Sequence, residues 1–128
     1  NYMNGSREGV FTKYYKNGKK QESGYYVNNQ KNGLAQWYFD NEQLSLQYNY
    51  IQGLISDTAY AYYKDGFLKS TCIYNQNQLH GDKVVYYQSG IIKQKGSFLQ
   101  DKKHGIWCDY DTLGYEIKCV KYQKGIKK

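Results

Sequence analysis

One pattern of residues recurs along this chain at a fixed interval of 24 residues, with no insertion or deletion between copies. When the first glycine of a copy is counted as place 0, place 5 is always tyrosine and place 17 is always aromatic. The place 5 residues are Tyr14, Tyr38, Tyr62, Tyr86 and Tyr110, and the place 17 residues are Tyr26, Tyr50, Tyr74, Phe98 and Tyr122. Such a strict period is typical of repeat architectures, in which each unit buries its apolar side against its neighbours.

The copies fill nearly the whole chain, so we interpret residues 1–128 as a single repeat array. Residues 1–8 match the tail of a preceding repeat, and the repeats that follow cover 9–32, 33–56, 57–80, 81–104 and 105–128. This pattern predicts that the chain was cut from a longer array. The compartment therefore stays open: the protein is cytoplasmic, or exported if a signal peptide was removed.

Two turn signals occur in every copy and predict an all-β fold. Proline is absent and tyrosine occurs 17 times, a composition that favours twisted strands. The first signal is at places 8 and 9, where a two-residue type I′ turn is expected: Asn17-Gly18, Asn41-Glu42, Asp65-Gly66, Ser89-Gly90 and Leu113-Gly114. The second is at places 19 and 20: Asn4-Gly5, Asn28-Asn29, Gln52-Gly53, Gln76-Asn77, Gln100-Asp101 and Lys124-Gly125. Each repeat is thus a double hairpin, and the array is an elongated, single-layer antiparallel β-meander of about ten strands.

The two turns also predict the pairing register. With two-residue loops, places adding up to 17 pair within a copy, and places adding up to 39 pair with the next copy. Side chains directly opposite each other share a face of the sheet. Because both sums are odd, even places of the first strand share a face with odd places of the second strand. Places 2, 4, 6, 11, 13, 15 and 17 therefore lie together on one face, which is rich in aromatic residues. Its expected members from first strands are Phe11, Tyr15, Trp37, Phe39, Tyr63, Val85, Tyr87 and Trp107; those from second strands include Leu44, Leu46, Leu68 and Ile92.

These residues resemble the MORN repeat family, and in particular its bacterial variant repeat. The resemblance is carried by the segments GVFTKYYKNGKKQESGYYVNNQKNG, HGDKVVYYQSGIIKQKGSFLQDKKHG and HGIWCDYDTLGYEIKC, and it covers almost the whole chain. Copies two and three depart from the pattern at Glu42, Tyr48, Asp57 and Cys72. The resemblance implies an elongated sheet of hairpins with a binding role and no catalysis. The aromatic-glycine repeats of choline-binding proteins are the nearest alternative, but those use paired tryptophans.

The leading functional hypothesis is a protein-binding or scaffold module, which in the bacterial relatives carries antitoxin-like or immunity-like labels. A soluble monomer seldom exposes a large group of aromatic side chains to solvent. The candidate binding surface consists of the aromatic residues Tyr15, Trp37, Phe39, Tyr63 and Tyr87. The partner would be another protein. Self-association through unpaired sheet edges is a further expectation.

The alternative hypothesis is binding to an anionic phospholipid or another polyanionic surface, including a membrane surface. The net charge is +7 and is concentrated in the end repeats. The candidate basic patch is Lys13, Lys16, Lys19, Lys20, Lys93, Lys95, Lys102 and Lys103. Nucleic acid is a less favoured partner because the middle of the array is neutral to acidic, which interrupts any basic track.

Residues with chemical potential are few, and we predict no enzyme activity, no cofactor and no metal site. His80 and His104 fall in equivalent places two strands apart, which is too far for easy sharing of a metal. Asp111 and Glu116 are expected to oppose each other as a polar cap on the last repeat. Cys108 and Cys119 are also expected to oppose each other, but as a hydrogen-bonded pair, whose wider Cα separation favours free thiols over a disulfide.

Overall fold

The computed structural model describes the backbone of residues 2–3 and 6–127 and the side chains of residues 7–127. All regular structure in these residues is β-strand: β1 Tyr2–Met3, β2 Ser6–Arg7, β3 Gly9–Tyr14, β4 Lys20–Val27, β5 Gln30–Lys31, β6 Gly33–Tyr38, β7 Leu44–Ile51, β8 Leu54–Tyr62, β9 Leu68–Asn75, β10 Gln78–Tyr86, β11 Ile92–Leu99, β12 Lys102–Tyr110, β13 Glu116–Gln123 and β14 Ile126–Lys127. The described part of the chain includes no helix long and apolar enough to cross a membrane.

The strands form one open antiparallel sheet in sequence order. Twelve strands, β3 to β14, belong to it, and β1 pairs with β2 alone. The predicted all-β, single-layer meander is confirmed. The strand number exceeds ten because β5 and β6 are two segments on the same side of β4, and because β14 is a further strand of two residues.

The turns at places 19 and 20 have the predicted two residues, and their geometry is type I′. Both central residues have positive φ, for example 50° and 69° at Asn28 and Asn29, and 50° and 83° at Gln52 and Gly53. The flanking residues pair as expected, as in Val27 with Gln30. Asn4-Gly5 lies outside the described residues.

The turns at places 8 and 9 differ from the prediction, because each has three residues and not two. In the first copy the Tyr15 N–H donates to the Lys19 carbonyl and the Gly18 N–H donates to the Tyr15 carbonyl. Only the place 9 residue, such as Gly18 at φ 85° or Glu42 at φ 73°, is left-handed. This is a type I turn followed by a left-handed residue, so the prediction of type I′ geometry at this turn is wrong. The side chain at place 8 accepts a hydrogen bond two residues on, as Asn17 Oδ1 does from the Lys19 N–H, which explains why Asn, Asp or Ser stands there.

A bulge at place 12 compensates for the extra turn residue. Tyr38 pairs with Leu44, whereas Trp37 pairs with Leu46, so Ser45 has no partner of its own. Beyond this bulge the predicted sum of 17 holds. Place 11 consequently lies on the face of the place 5 tyrosines, and the prediction that put Leu44, Leu68 and Ile92 on the aromatic face is wrong.

The same bulge overturns the predicted opposition of Asp111 and Glu116. Glu116 pairs with Tyr110, so the two carboxylates lie on opposite faces of the sheet. Asp111 Oδ1 accepts hydrogen bonds from the Leu113 and Tyr115 N–H groups, both at 2.9 Å. Its role is to cap the turn in the one copy where place 8 holds leucine.

A second bulge surrounds place 0 and sets the stacking of the repeats. Asn49 pairs with Ser56 and Gln47 pairs with Tyr60, so Tyr48 alone faces residues 57–59. The place 0 residue has positive φ in every copy, from 63° at Asp57 to 116° at Gly81. Between the turn and this bulge the predicted sum of 39 holds, and beyond the bulge the sum is 41. Places that pair in one repeat therefore continue into the next as straight rows across the sheet, without stagger.

One such row, made of places 2 and 15, is the most buried part of the sheet. Ala35, Ala59 and Trp107 belong to it and are 1%, 3% and 5% exposed. Large rings lie over bare backbone here: a Cβ added to Gly24 would come within 2.6 Å of the Phe11 ring, and one added to Gly96 within 2.1 Å of the Trp107 ring. The predicted meeting of large with small residues is thus present, although Gly96 is covered by Trp107 of the next repeat.

The repeats are also joined by the tyrosines of place 6. Each hydroxyl donates to the place 5 carbonyl of the next repeat: Tyr15 to Tyr38 at 2.5 Å, Tyr63 to Tyr86 at 2.6 Å, and Tyr87 to Tyr110 at 2.7 Å. Copy two has Phe39 at this place and cannot make the bond.

This gap predicts that Phe39→Tyr stabilises the protein. The added hydroxyl would reach the Tyr62 carbonyl, and a net hydrogen bond is worth about 0.5–1.5 kcal/mol. Tyr63→Phe, the matched reverse change, is expected to lower the free energy of unfolding by a similar amount. Urea unfolding of both variants measures the pair, and a Phe39→Tyr protein no more stable than the parent would contradict the prediction.

Along the opposite margin of the sheet, the place 20 residue of each turn bonds to the place 22 residue of the preceding repeat, which lies on a strand. The Asn77 N–H donates to the Ile55 carbonyl at 2.8 Å, and Asn77 Oδ1 accepts from the Ile55 N–H at 2.6 Å. Asp101 makes the same two bonds with Leu79. Both margins are therefore held by bonds between successive repeats.

Candidate interaction surfaces

The structure brings the five predicted surface aromatics onto one face of the sheet. We define the aromatic face by places 2, 4, 6, 13, 15, 17 and 22. Trp37 occupies place 4, while Tyr15, Phe39, Tyr63 and Tyr87 occupy place 6. All five side chains are half-buried, and the three tyrosine hydroxyls are used in the bonds between repeats. Much of this ring surface is therefore occupied within the protein.

Lys31 lies in a box of aromatic rings on this face. Its Nζ is 5.6 Å from the ring centroid of Phe11, 5.2 Å from that of Trp37 and 5.3 Å from that of Tyr50. The same Nζ is 3.3 Å from a carboxylate oxygen of Glu22, which is 8% exposed. Cation–π contacts of this kind are attractive, and more so when partly desolvated. The box therefore holds an ammonium group that the chain itself supplies.

Lys103 repeats this arrangement at the other end of the sheet, 4.7 Å from the Trp107 ring and 5.1 Å from the Tyr122 ring. Sequence reasoning put place 13, and with it Glu22, on this face, but it missed Lys31 at place 22 and the contact between the two residues. The sequence did contain a signal for the lysines. A lysine at place 22 precedes each of the two first strands that hold a tryptophan, Lys31 before Trp37 and Lys103 before Trp107.

Burial raises the pKa of titratable groups in the middle of the aromatic face. It is the main cause of the raised pKa of Tyr50 and of Tyr74, with a further contribution from Tyr48 in each case. Burial also raises the pKa of the Cys72 thiol, although Lys83 opposes this shift. At neutral pH these groups stay uncharged, so Cys72 is a poor nucleophile.

The eight predicted lysines do not form one patch. Lys13 and Lys103 lie on the aromatic face at opposite ends of the sheet. Lys20 and Lys95 lie on the other face, against the rings of Tyr38 and Tyr110. Lys16 and Lys19 belong to a turn, Lys93 is near the Tyr87 ring, and Lys102 begins β12. A single flat anionic surface could not engage all of them together.

The other face, which we call the second face, exposes apolar side chains along one row. It carries places 1, 3, 5, 11, 14, 16 and 23, and we name the residues of places 1 and 16 the outer row. Val10 pairs with Tyr25, and Leu34 follows on the next strand of the sheet; their exposed fractions are 66%, 45% and 55%. Further exposed apolar members of the outer row are Ile73 and Ile106.

Strands at both edges of the sheet carry lysine. β3 ends the twelve-stranded sheet on one side and carries Lys13. On the other side β13 carries Lys118 and Lys121, and β14 covers only its end. Lysines on edge strands disfavour pairing with an identical edge. Self-association through these edges stays a prediction.

Cys108 and Cys119 are joined by a disulfide, which corrects the expectation of free thiols. They do oppose each other, but their Cα atoms are 4.1 Å apart, the close spacing of a non-hydrogen-bonded pair. The three-residue turn and the place 12 bulge changed the alternation on which the expectation depended. Cys72 is free and lies on the aromatic face, away from this bond.

The two histidines lie near the outer row. His80 is exposed, whereas His104 pairs with Ser97. The Ser97 hydroxyl donates to Asp82 at 2.7 Å, while the buried His104 Nδ1 has no hydrogen-bond partner among the described residues. The serine proton points to the carboxylate and not to the imidazole, which is not the order that activates a serine nucleophile.

Comparison with known protein families agrees with this repeat geometry. The sequence profile of the MORN repeat variant matches residues 7–28, 31–52 and 79–100, just over half of the chain. The chain belongs to the MORN repeat family. Each matched MORN segment runs from place 22 through the place 0 bulge to place 19, and so contains one complete hairpin. No curated protein matches the chain.

Proposed function

We propose that this MORN repeat protein is a non-catalytic module that binds another protein through the second face of its N-terminal repeats. MORN repeats are generally binding or scaffold modules. The observation that carries the location is the exposed apolar part of the outer row, Val10, Tyr25 and Leu34. These residues lie on three adjacent strands about 5 Å apart, so they form a continuous strip.

The location differs from the aromatic surface suggested by sequence. Tyr15, Trp37, Phe39, Tyr63 and Tyr87 contact neighbouring repeats, and removing their rings would cost stability as well as binding. In contrast, the apolar side chains Val10, Tyr25 and Leu34 of the outer row are largely exposed, so they contribute little to the packing of the fold. Apolar groups surrounded by polar ones are typical of interaction sites.

The test is affinity capture of proteins from the source organism with two matched variants. Val10→Thr/Tyr25→Thr/Leu34→Thr removes the apolar strip and keeps strand-forming residues, whereas Ile73→Thr/Ile106→Thr makes the same kind of change farther along the outer row. We expect the triple variant to bind the captured partner at least about tenfold more weakly, since a few central residues dominate most interfaces. The double variant should bind as the parent does.

Two results would count against this function. Equal binding by both variants contradicts the location on the outer row. Failure to recover any specific partner, together with a monomer in light scattering, contradicts the interaction module itself.

In a narrower form of the proposal, the partner is a toxin that this protein neutralises. The support is the resemblance to variant repeats with immunity-like labels. Stoichiometric addition of the protein should then abolish the activity of the captured partner, and the triple variant should fail to do so. A captured partner that is fully active in the complex rules out this narrower form.

A further inference from the structure

We propose that Cys108, Cys119 and Glu116 form a binding site for a zinc-type divalent cation when the Cys108–Cys119 disulfide is reduced. The site belongs to the last repeat and is independent of the outer-row surface. The sequence indicated no metal ligand here, because the cluster arises from the fold of the β12–β13 hairpin.

The three potential ligand atoms are already close together. One oxygen of Glu116 and the two sulfur atoms all lie within 4.8 Å of one another, and Glu116 Oε1 is 3.0 Å from Cys119 Sγ. Zinc–sulfur and zinc–oxygen bonds measure about 2.0–2.3 Å. Small rotations of the side chains would therefore let all three groups reach one ion.

The place 12 bulge is what gathers these ligands. In a regular strand, residues three apart point to opposite faces, so Glu116 and Cys119 would be separated by the sheet. Asp109 pairs with Lys118 and Tyr110 pairs with Glu116, which leaves Ile117 without a partner. The extra residue turns Glu116 onto the second face, where both cysteines lie.

The donor set selects the class of ion. Two thiolates and one carboxylate suit zinc and similar borderline-soft ions, whereas magnesium and calcium prefer sites made only of oxygen. Three protein ligands leave a fourth tetrahedral position for water. Cys119 and Glu116 are exposed while Cys108 is buried, so this position would face solvent.

Metal binding requires prior reduction of the disulfide by thiol–disulfide exchange. A thiolate of a dithiol reductant attacks the exposed Cys119 Sγ, the sulfur–sulfur bond breaks, and Cys108 leaves as a thiolate. The second thiol of the reductant then releases Cys119 and closes the reductant's own disulfide. Two electrons and two protons have passed to the protein, and the ion displaces those two protons when both thiolates bind it. In the reverse exchange, an oxidised dithiol takes back the two electrons and becomes a dithiol with two protons from solvent, while the protein disulfide re-forms and the ion is released.

Cobalt(II) is the probe for this site because its thiolate complexes absorb visible and near-ultraviolet light, which zinc complexes do not. Reduced protein titrated with cobalt(II) under anaerobic conditions should develop thiolate-to-cobalt absorption, and zinc should remove it. Oxidised protein should show none. Cys119→Ser should abolish the absorption, and Glu116→Gln should weaken cobalt binding at least about tenfold, comparable to the loss of other supporting groups at metal sites.

The controls separate this site from other ligands. Asp109→Asn changes a carboxylate on the aromatic face that accepts a hydrogen bond from Gln94, and Cys72→Ser removes the remaining thiol; both should leave the titration unchanged. Circular dichroism of each reduced variant checks that the sheet is intact. A reduced parent protein without thiolate-to-cobalt absorption overturns the proposal, and so does an absorption that survives Cys119→Ser or disappears with Cys72→Ser.

Discussion

Gly96→Ala is expected to destabilise the protein by about 1–3 kcal/mol, the usual cost of overpacking a well-packed site. The new Cβ would come within 2.1–2.5 Å of three atoms of the Trp107 ring. That ring cannot move freely, because its Nε1 donates to the Ser97 carbonyl at 2.9 Å and the ring makes a T-shaped contact with Phe98 at a centroid distance of 5.0 Å. Urea unfolding of the variant and the parent measures the effect.

The partner change, Trp107→Ala, is expected to cost about 3–5 kcal/mol, since Trp107 is the largest of the buried side chains among the described residues. In the Trp107→Ala background Gly96→Ala should be neutral or slightly stabilising, because alanine suits a strand better than glycine. The double-mutant cycle should therefore give a coupling of about 0.5–3 kcal/mol. Additive effects would contradict the packing of the ring over Gly96.

Two further variants mark the limits of this effect. Gly24→Ala creates the same conflict with Phe11, at 2.6 Å, but should cost less because Phe11 is on the edge strand β3 and has room to shift. Ile106→Ala changes the neighbour of Trp107 on the second face, which is 63% exposed. It should change stability by no more than about 0.5 kcal/mol.

Loss of the Cys108–Cys119 disulfide is expected to lower stability by about 3 kcal/mol in the absence of metal. The bond closes a loop across a sequence separation of 11 residues, and constraining a loop of this size in the unfolded chain has an effect of that order. Because repeats interact chiefly with their neighbours, the loss should be concentrated in β12 and β13. Cys108→Ser/Cys119→Ser compared with the oxidised parent is the measurement.

Amide hydrogen exchange gives the location of this loss. Exchange should accelerate in β13 and the outer half of β12, while the amides of β7 and β8 keep their protection. Addition of a reductant to the double variant should produce no further change, which excludes an effect through Cys72. Uniform acceleration over the whole sheet would contradict the local nature of the loss.

The fold class could be predicted from sequence because its causes are local. A period of 24 residues, turn dipeptides in equivalent places and strand-forming residues between them leave few architectures other than a meander of hairpins. The two-residue length of the turns at places 19 and 20 was predicted correctly, since the asparagine and glycine common there tolerate the left-handed conformation that both central residues adopt.

The candidate surfaces could not be predicted as well, because exposure depends on what neighbouring repeats cover. The pattern grouped Tyr15, Tyr63 and Tyr87 correctly on one face, but only the structure shows their hydroxyls bonded to the next repeat. The eight lysines look like one basic patch in the sequence, yet alternation along the strands distributes them over both faces and the margins.

The sequence by itself determined the repeat, the all-β meander and the odd parity that keeps the aromatic column on one face. Only the tertiary structure decided the three-residue turn, the bulges at places 0 and 12, and with them the straight rows of the sheet. The physical reason is that the position of a bulge depends on the hydrogen bonds that a strand makes with both of its neighbours. The sequence of that strand alone does not specify those bonds. The Cys108–Cys119 disulfide and the position of Glu116 beside it follow from the three-residue turn and the place 12 bulge.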